Sequence, residues 1–204
     1  WEDNFKPFFV KRGYSVIVVN FSNPNPKVKI NDYMEHINEV VGEISGKVYI
    51  ISHSLGTAIV EKYITKFSPK LDAVVFLTPS LVIKRLQKAF LVNFHNIMRS
   101  KSCFYFSNRL DESVESVYLD KFTDESRKIE LLMIRKKVPV GYEWNYKTLV
   151  MGSLNDNCMP ISVLLDTAKI FKAKLIIYQE HCHDMMLDPA WEIVAEDILG
   201  FILV

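Results

Sequence analysis

The sequence lacks the features that mark several classes of protein. Its formal net charge is only +1, which provides no field to hold nucleic acid or an anionic membrane. Its longest oily segment, residues 81–98, is interrupted by lysine, arginine and histidine, and no apolar run approaches the ~20 residues that a membrane span needs. We therefore expect no nucleic-acid partner and no stable insertion into a membrane.

Cysteine is also scarce. The three cysteines, at positions 103, 158 and 182, have neither the spacing of a disulfide framework nor that of a metal-binding knuckle. This favours a reducing, cytoplasmic compartment, and we expect neither a metal nor another cofactor. The sequence leaves open whether Cys158 and Cys182 are bonded, because each lies close to a candidate site residue described below.

The pattern of apolar residues predicts the fold. The 204 residues are 49% apolar and 24% charged, which is typical of one globular domain with a substantial core. Short, nearly continuous apolar runs alternate with longer runs of helical spacing, and this predicts an α/β fold with a mostly parallel sheet flanked by helices. The predicted strands are 15–20, 47–52, 72–77, 146–151 and 174–179, and the predicted helices are 30–44, 55–67, one opening at Pro160, and one with Asp188 as N-cap and Pro189 at its first position.

The alternation of strands and helices is interrupted between residues 80 and 145. Helices are predicted there over 81–98, 111–120 and 124–135. We interpret residues 80–145 as a helical cap inserted between two strands and lying over the site. The core of the domain is then formed by residues 1–79 and 146–204.

A candidate nucleophile follows the second predicted strand. The run Ser52-His53-Ser54-Leu55-Gly56 has the pattern of a nucleophile elbow, a tight strand-to-helix turn that lifts a serine hydroxyl above the sheet. Ser52 and Gly56 are the small residues expected where strand and helix pass each other closely, and His53 is the direct neighbour of Ser54. The alternative is an ordinary turn in which the serine caps the next helix.

Candidates for an acid and a base follow the last two predicted strands. Asp156 lies in the polar loop after strand 146–151, and His181 and His183 lie in the loop after strand 174–179. Strand ends of a parallel sheet meet at one edge, so either histidine is placed to reach both Ser54 and Asp156. Asp156 is equally consistent with a turn-capping residue, and the histidines with ordinary surface-loop residues.

Together these motifs resemble α/β-hydrolases of the esterase and lipase-like group. The resemblance is carried by Ser-His-Ser-Leu-Gly, by Gly-Ser-Leu-Asn-Asp with the proline that follows it, and by His-Asp-Met-Met-Leu-Asp-Pro-Ala-Trp. Residues 106–110 and 124–126 are similar to cap segments of that group, and residues 1–14 to the stretch that follows its first loop on the catalytic face. The likeness covers nearly all 204 residues.

The resemblance implies a role for each site residue. Ser54 is the nucleophile, His183 the base and Asp156 the acid that orients it. His183 is preferred to His181 because the catalytic histidine of the group directly precedes a polar and then apolar run that ends in Asp-Pro-x-Trp. The backbone N–H of Leu55 is expected to be one donor of the oxyanion hole.

The chain departs from the group at the second oxyanion donor. That donor normally comes from a His-Gly type loop after an earlier strand, and this chain contains no such motif. We expect the donor to lie upstream of Trp1, and we expect one or more N-terminal strands of the fold to be missing from this chain.

The resemblance further implies a serine hydrolase that cleaves a small-molecule carboxylic ester through an acyl-enzyme intermediate. The apolar residues within 81–98 favour a lipophilic acyl or alcohol part, or they simply pack the cap onto the core. A thioesterase, an acyltransferase or a peptidase with the same triad remains an alternative, as does a non-catalytic homologue that binds a ligand under the cap.

Overall fold

The architecture is a parallel sheet with the site at one end. The computed structural model describes residues 1–20, 29–80, 106, 109–121 and 143–204 of this chain. Within these ranges the sheet has four strands, all parallel, which follow one another in space in the order in which they occur along the chain. They are β1 (Tyr49–His53), β2 (Ala73–Leu77), β3 (Thr148–Ser153) and β4 (Lys174–Tyr178). Their carboxyl ends therefore lie side by side.

Helices cover both faces of the sheet. The helices of the described residues are α1 (Phe5–Val10), α2 (Ile30–Gly42), α3 (Leu55–Phe67), α4 (Glu112–Asp120), α5 (Ile161–Phe171) and α6 (Trp191–Leu203), of which α4 has no buried residue. Side chains of α2, α3 and α5 share one buried cluster, and those of α1 and α6 share the other. Along β2, Val74 and Phe76 belong to the first cluster and Val75 and Leu77 to the second, because successive strand side chains point to opposite faces. The α/β prediction, with helices flanking a parallel sheet, is confirmed.

The predicted strand over residues 15–20 is wrong. The chain runs there without strand pairing, and β1 pairs only with β2 within the described residues. Val16 packs against the cluster of α1 and α6, and Val19 packs against the opposite cluster. An apolar run is therefore not enough to form a strand, which also requires a paired neighbouring strand, and the described residues provide none for 15–20.

The last helix begins later than predicted. It starts at Trp191 and not at Pro189. Asp188 instead closes a turn that precedes the helix, because its side chain accepts the N–H of Ala190 at 3.0 Å and its carbonyl accepts that of Trp191 at 3.0 Å. Asp188 therefore caps the turn that precedes the helix and is not the N-cap of the helix itself.

Part of the segment between β2 and β3 can be compared with the sequence prediction. The helix predicted over 111–120 is confirmed as α4, whose N-cap Asp111 accepts the N–H of Ser113 at 2.9 Å. The helices predicted over 81–98 and 124–135 lie outside the described residues. Among the residues that are described, no helix has both the length and the apolar character needed to cross a bilayer.

Candidate active site

Ser54 occupies the turn between β1 and α3. Its backbone has φ 47° and ψ −120°, a left-handed conformation that a residue with a side chain adopts only when its surroundings enforce it. Two hydrogen bonds enforce it here. The N–H of Ser54 donates to the carbonyl of Leu77 at 3.0 Å, and the N–H of Ser80 donates to the carbonyl of Ser54 at 3.3 Å. This is the geometry of a nucleophile elbow.

The residues that flank the turn are less crowded than predicted. A Cβ atom at Gly56 would lie 3.9 Å from the Cβ of Ser52, which is ordinary van der Waals contact. Ser52 itself is buried, and its hydroxyl lies 3.4 Å from the carbonyl of Val75 and 3.5 Å from the hydroxyl of Thr57. A serine at position 52 is thus accommodated by polar partners between strand and helix.

Ser54, His183 and Asp156 form a continuous hydrogen-bonded chain. The Nε2 atom of His183 lies 3.0 Å from the Oγ of Ser54, and its Nδ1 lies 2.9 Å from the Oδ2 of Asp156. Both the imidazole and the carboxylate are almost completely shielded from solvent, with side chains 1% and 0% exposed. The order along the strand ends is Ser54 after β1, Asp156 after β3 and His183 after β4.

The loop that follows β3 fixes the carboxylate of Asp156. Its Oδ1 atom accepts the backbone N–H groups of Cys158 at 2.7 Å and of Met159 at 2.9 Å. Oδ2 is left to face the imidazole of His183. Asp156 therefore caps the turn with Oδ1, as considered from the sequence, and contacts His183 with Oδ2.

His181, the other candidate base, makes different contacts. Its Nε2 atom lies 3.2 Å from the carbonyl of Ala190, and its ring lies 4.4 Å from that of Tyr178. The bridging position between Ser54 and Asp156 is occupied by His183.

The backbone of His183 is held from two neighbouring strand ends. Its carbonyl lies 3.1 Å from the Nε2 of His53, at the end of β1, and accepts the hydroxyl of Thr78, just after β2, at 3.1 Å. Thr78 has φ 41°, so its own backbone is strained to make this contact. The sequence did not identify Thr78. The only sequence feature that marks Thr78 is its position between a buried strand and Pro79.

Asp184 adds a second buried carboxylate to the site. Its Oδ1 atom lies 3.3 Å from the Nε2 of His53, and its side chain is 10% exposed. The imidazole rings of His53 and His183 lie 4.8 Å apart. The site therefore contains two histidines, each beside its own carboxylate, whereas the sequence predicted only one such pair.

Burial and mutual charge set the protonation of this group. Burial alone would lower the pKa of His183, but the charge and hydrogen bond of Asp156, with the charge of Asp184, outweigh it and raise that pKa. Burial, reinforced by the charge of His183, lowers the pKa of His53 well below its ordinary value. Burial raises the pKa of Asp184 to about 6. These opposite shifts favour protonation of His183 over protonation of His53.

Metal binding would compete with the hydrogen-bonded chain. Two sets of potential ligand atoms lie within 4.8 Å of one another, namely His53, His183 and Asp184, and Asp156, Cys158 and His183. Both sets need a ring nitrogen of His183, and its two nitrogens already contact Ser54 and Asp156. A metal here would break one of those contacts. Cys158 and Cys182 are not joined by a disulfide, and burial raises the pKa of Cys158.

Leu55 is the first residue of α3. The first N–H groups of a helix have no acceptor within the helix, and the helix dipole makes them favourable partners for negative charge. The backbone N–H of Leu55 is therefore one of these helix-end groups, and Leu55 directly follows Ser54 in the chain. The second donor expected upstream of Trp1 stays a prediction.

Residues 14–190 match the model of a family described as serine hydrolase. The fold of this chain is similar to that of polyneuridine aldehyde esterase (17% identity, TM-score 0.71, 96% of this chain and 92% of that chain covered). It is also similar to an esterase from Exiguobacterium antarcticum (14%, 0.74, 98% and 85%) and to a monoacylglycerol lipase from Paleococcus ferrophilus (18%, 0.56, 86% and 75%). No curated protein sequence matches significantly.

Proposed function

We propose that this chain, which belongs to the serine hydrolase family, cleaves a small-molecule carboxylic ester through an acyl-enzyme intermediate. The observation that carries the proposal is the hydrogen-bonded chain from Ser54 through His183 to Asp156, with distances of 3.0 and 2.9 Å. A serine on a strained turn, an imidazole in contact with it and a buried carboxylate behind the imidazole together make an activated nucleophile.

In the proposed reaction, neutral His183 holds its proton on Nδ1, towards Asp156, and accepts the Ser54 proton at Nε2. The Oγ of Ser54 attacks the carbonyl carbon, and the charge that develops on the carbonyl oxygen faces the N–H of Leu55. One such donor contributes on the order of 3 kcal/mol to the transition state. His183 then gives its proton to the departing alcohol. A water molecule, deprotonated by the same nitrogen, releases the acid.

Asp156 stabilises the imidazolium that forms in each half of the reaction. Its carboxylate is buried and accepts two backbone N–H groups, so its position does not depend on solvent. The charge of Asp184 also raises the pKa of His183. These groups support a base that can accept a proton within a site shielded from water.

We propose that the substrate has a lipophilic acyl or alcohol part and that residues 80–145 form a cap over it. The support is the apolar character of residues 81–98 together with the similar folds, which include two esterases and a monoacylglycerol lipase. The contact between Arg109 and the loop that carries His183 also supports a cap that reaches the site.

The test is hydrolysis of p-nitrophenyl esters of increasing acyl length, combined with labelling by a fluorophosphonate probe. We expect Ser54→Ala to abolish both hydrolysis and labelling while it leaves the melting temperature nearly unchanged, because the hydroxyl contributes chemistry and little packing. Ser15→Ala, at an exposed position, is the matched control and should behave as the wild type. Retained activity in folded Ser54→Ala would remove Ser54 from the mechanism, and preference for a thioester or a peptide would correct the substrate class.

A further inference from the structure

Arg109 bridges the two ends of the loop that carries His183. Its Nη1 donates to Glu180 Oε2 at 3.1 Å, and its Nη2 donates to the carbonyl of Glu180 at 3.0 Å and to Asp188 Oδ1 at 2.8 Å. Glu180 and Asp188 are the first and last residues of the loop 180–188. Arg109 itself comes from the segment between β2 and β3, outside the sheet.

The contact with Asp188 is the important one. Glu180 has a side chain 74% exposed, and an ion pair with such a residue contributes little. The side chain of Asp188 is 0% exposed. A buried carboxylate is costly unless it is paired and hydrogen-bonded, and Arg109 pairs with Asp188 directly.

Asp188 also connects Arg109 to the backbone next to His183. Its Oδ2 atom accepts the backbone N–H of Cys182 at 3.2 Å, and Oδ1 also accepts that of Ala190 at 3.0 Å. Cys182 directly precedes His183. The position of the His183 backbone is thus determined on one side by the chain Arg109, Asp188, Cys182, and on the other by His53 and Thr78.

We propose that Arg109 is a positioning residue for the base. Through Asp188 it holds the loop 180–188 so that the imidazole of His183 faces Ser54 and Asp156. This inference rests on the proposed function, in which His183 is the base. It also makes the rate of the reaction depend on a segment that lies outside the sheet. A lysine cannot replace the arginine fully, because an ammonium group lacks the planar fork that reaches both ends of the loop.

The test compares Arg109→Met and Arg109→Lys with the wild type in steady-state hydrolysis of a p-nitrophenyl ester. For Arg109→Met we expect kcat to fall by about 10- to 100-fold, because a misplacement of about 1 Å in a catalytic group has effects of this size. KM should stay within about twofold, since substrate binding is not removed. Arg109→Lys should give an intermediate kcat.

Arg12→Met is the matched control. Arg12 pairs with Glu196 at 2.5 Å, and its side chain is 35% exposed, as is that of Arg109. Its hydrogen bonds go to Phe8 and Glu196, which lie outside the loop 180–188, so its loss should leave kcat unchanged. A low-field proton resonance from the Nδ1–H of His183 should shift or broaden in Arg109→Met and stay in place in Arg12→Met.

Two outcomes would overturn the inference. One is a folded Arg109→Met with the kcat of the wild type, and the other is a rise in KM with kcat unchanged, which would assign Arg109 to substrate binding. If Arg109→Met does not fold, Arg109→Lys decides by the same criteria. Ser54→Ala, assayed in parallel, keeps the two proposals separate, because an active Ser54→Ala would contradict the proposed function itself.

Discussion

At the scale of the residue, the charge state of His183 should control the rate. A base must be neutral to accept a proton, so activity should fall as the pH drops through the His183 pKa. Burial lowers this pKa, but the Asp156 and Asp184 carboxylates raise it above the ordinary 6.5. We therefore expect the midpoint of the pH profile of kcat/KM above pH 6.5, and a profile that is flat from pH 5 to 8 would contradict a histidine-dependent mechanism.

Asp156→Asn tests the cause of that shift. The variant removes the charge that raises the His183 pKa and keeps the burial that lowers it, so the remaining activity should extend to lower pH. The rate itself should fall by roughly 10³–10⁴-fold, because an amide holds the wrong tautomer of the imidazole. The pH profile of the variant is the measurement, and an unchanged midpoint would assign the shift to another group.

Asp184 should make stability depend on pH. Burial raises its pKa from 3.8 to about 6, so the folded state binds this proton more tightly than the unfolded state. The resulting stability is fully present below pH 3.8 and is lost as the pH rises through about 6, and the difference amounts to roughly 3 kcal/mol.

Asp184→Asn should not lose stability as the pH rises through about 6, because the asparagine keeps an acceptor oxygen for His53 and carries no charge. Relative to the wild type, its free energy of unfolding should rise by about 3 kcal/mol between about pH 4 and pH 8, as measured by urea denaturation. Asp120→Asn, at an exposed position of α4, is the control and should follow the wild type. A constant difference between Asp184→Asn and the wild type would show that Asp184 is ionised at both pH values.

At the scale of the element, the contact between β3 and α5 depends on Gly152. A Cβ atom there would lie 1.8 Å from Leu164 Cδ2 and 2.8 Å from Leu164 Cγ, and Leu164 is completely buried. We expect Gly152→Ala to destabilise the fold by about 1–3 kcal/mol through overpacking. Gly200→Ala in α6, where nothing lies within 4 Å of the added Cβ, should instead stabilise by about 0.5–1 kcal/mol.

Chemical denaturation of both variants checks this prediction. A double-mutant cycle identifies the clash, because Leu164→Ala should be less damaging in Gly152→Ala than in the wild type. Additive effects would show that the strand moves away from the helix without straining Leu164.

The elements that surround the site were largely predictable from the sequence. Ser54, Asp156 and His183 each follow a short apolar strand, and in a parallel sheet such positions converge whatever the loops between them do. The geometry also separates His183 from His181, which the strand pattern alone left open. The positions of the strand ends depend only on period and strand direction, whereas the choice between His183 and His181 depends on the contacts of each ring.

Other features could not be predicted, for two physical reasons. The bond from Arg109 to Asp188 joins residues 79 positions apart, and no periodicity marks such a pair. The contact of Thr78 with His183 spans 105 positions in the same way. The strand expected over 15–20 has the right side-chain pattern, but a strand also needs a partner, and side-chain pattern does not report one.

At the scale of the whole molecule, stability should be graded across the sheet. All residues of β2 and β3 are buried, whereas β1 and β4 contain half-buried or exposed positions. Amides of β2 and β3 should therefore exchange with solvent only on global unfolding, and those of β1 and β4 faster. In α4 no residue is buried, so its amides should exchange fastest and serve as the internal reference. Protection of β1 equal to that of β2 would mean that a further segment pairs with the other side of β1.

The order of the strands also has a consequence for synthesis on the ribosome. Because β1, β2, β3 and β4 enter the sheet in the order in which they are translated, each new strand meets a neighbour that has already emerged. Ser54 is made early and His183 late, so in the proposed mechanism turnover can begin only after the loop 180–188 has left the exit tunnel.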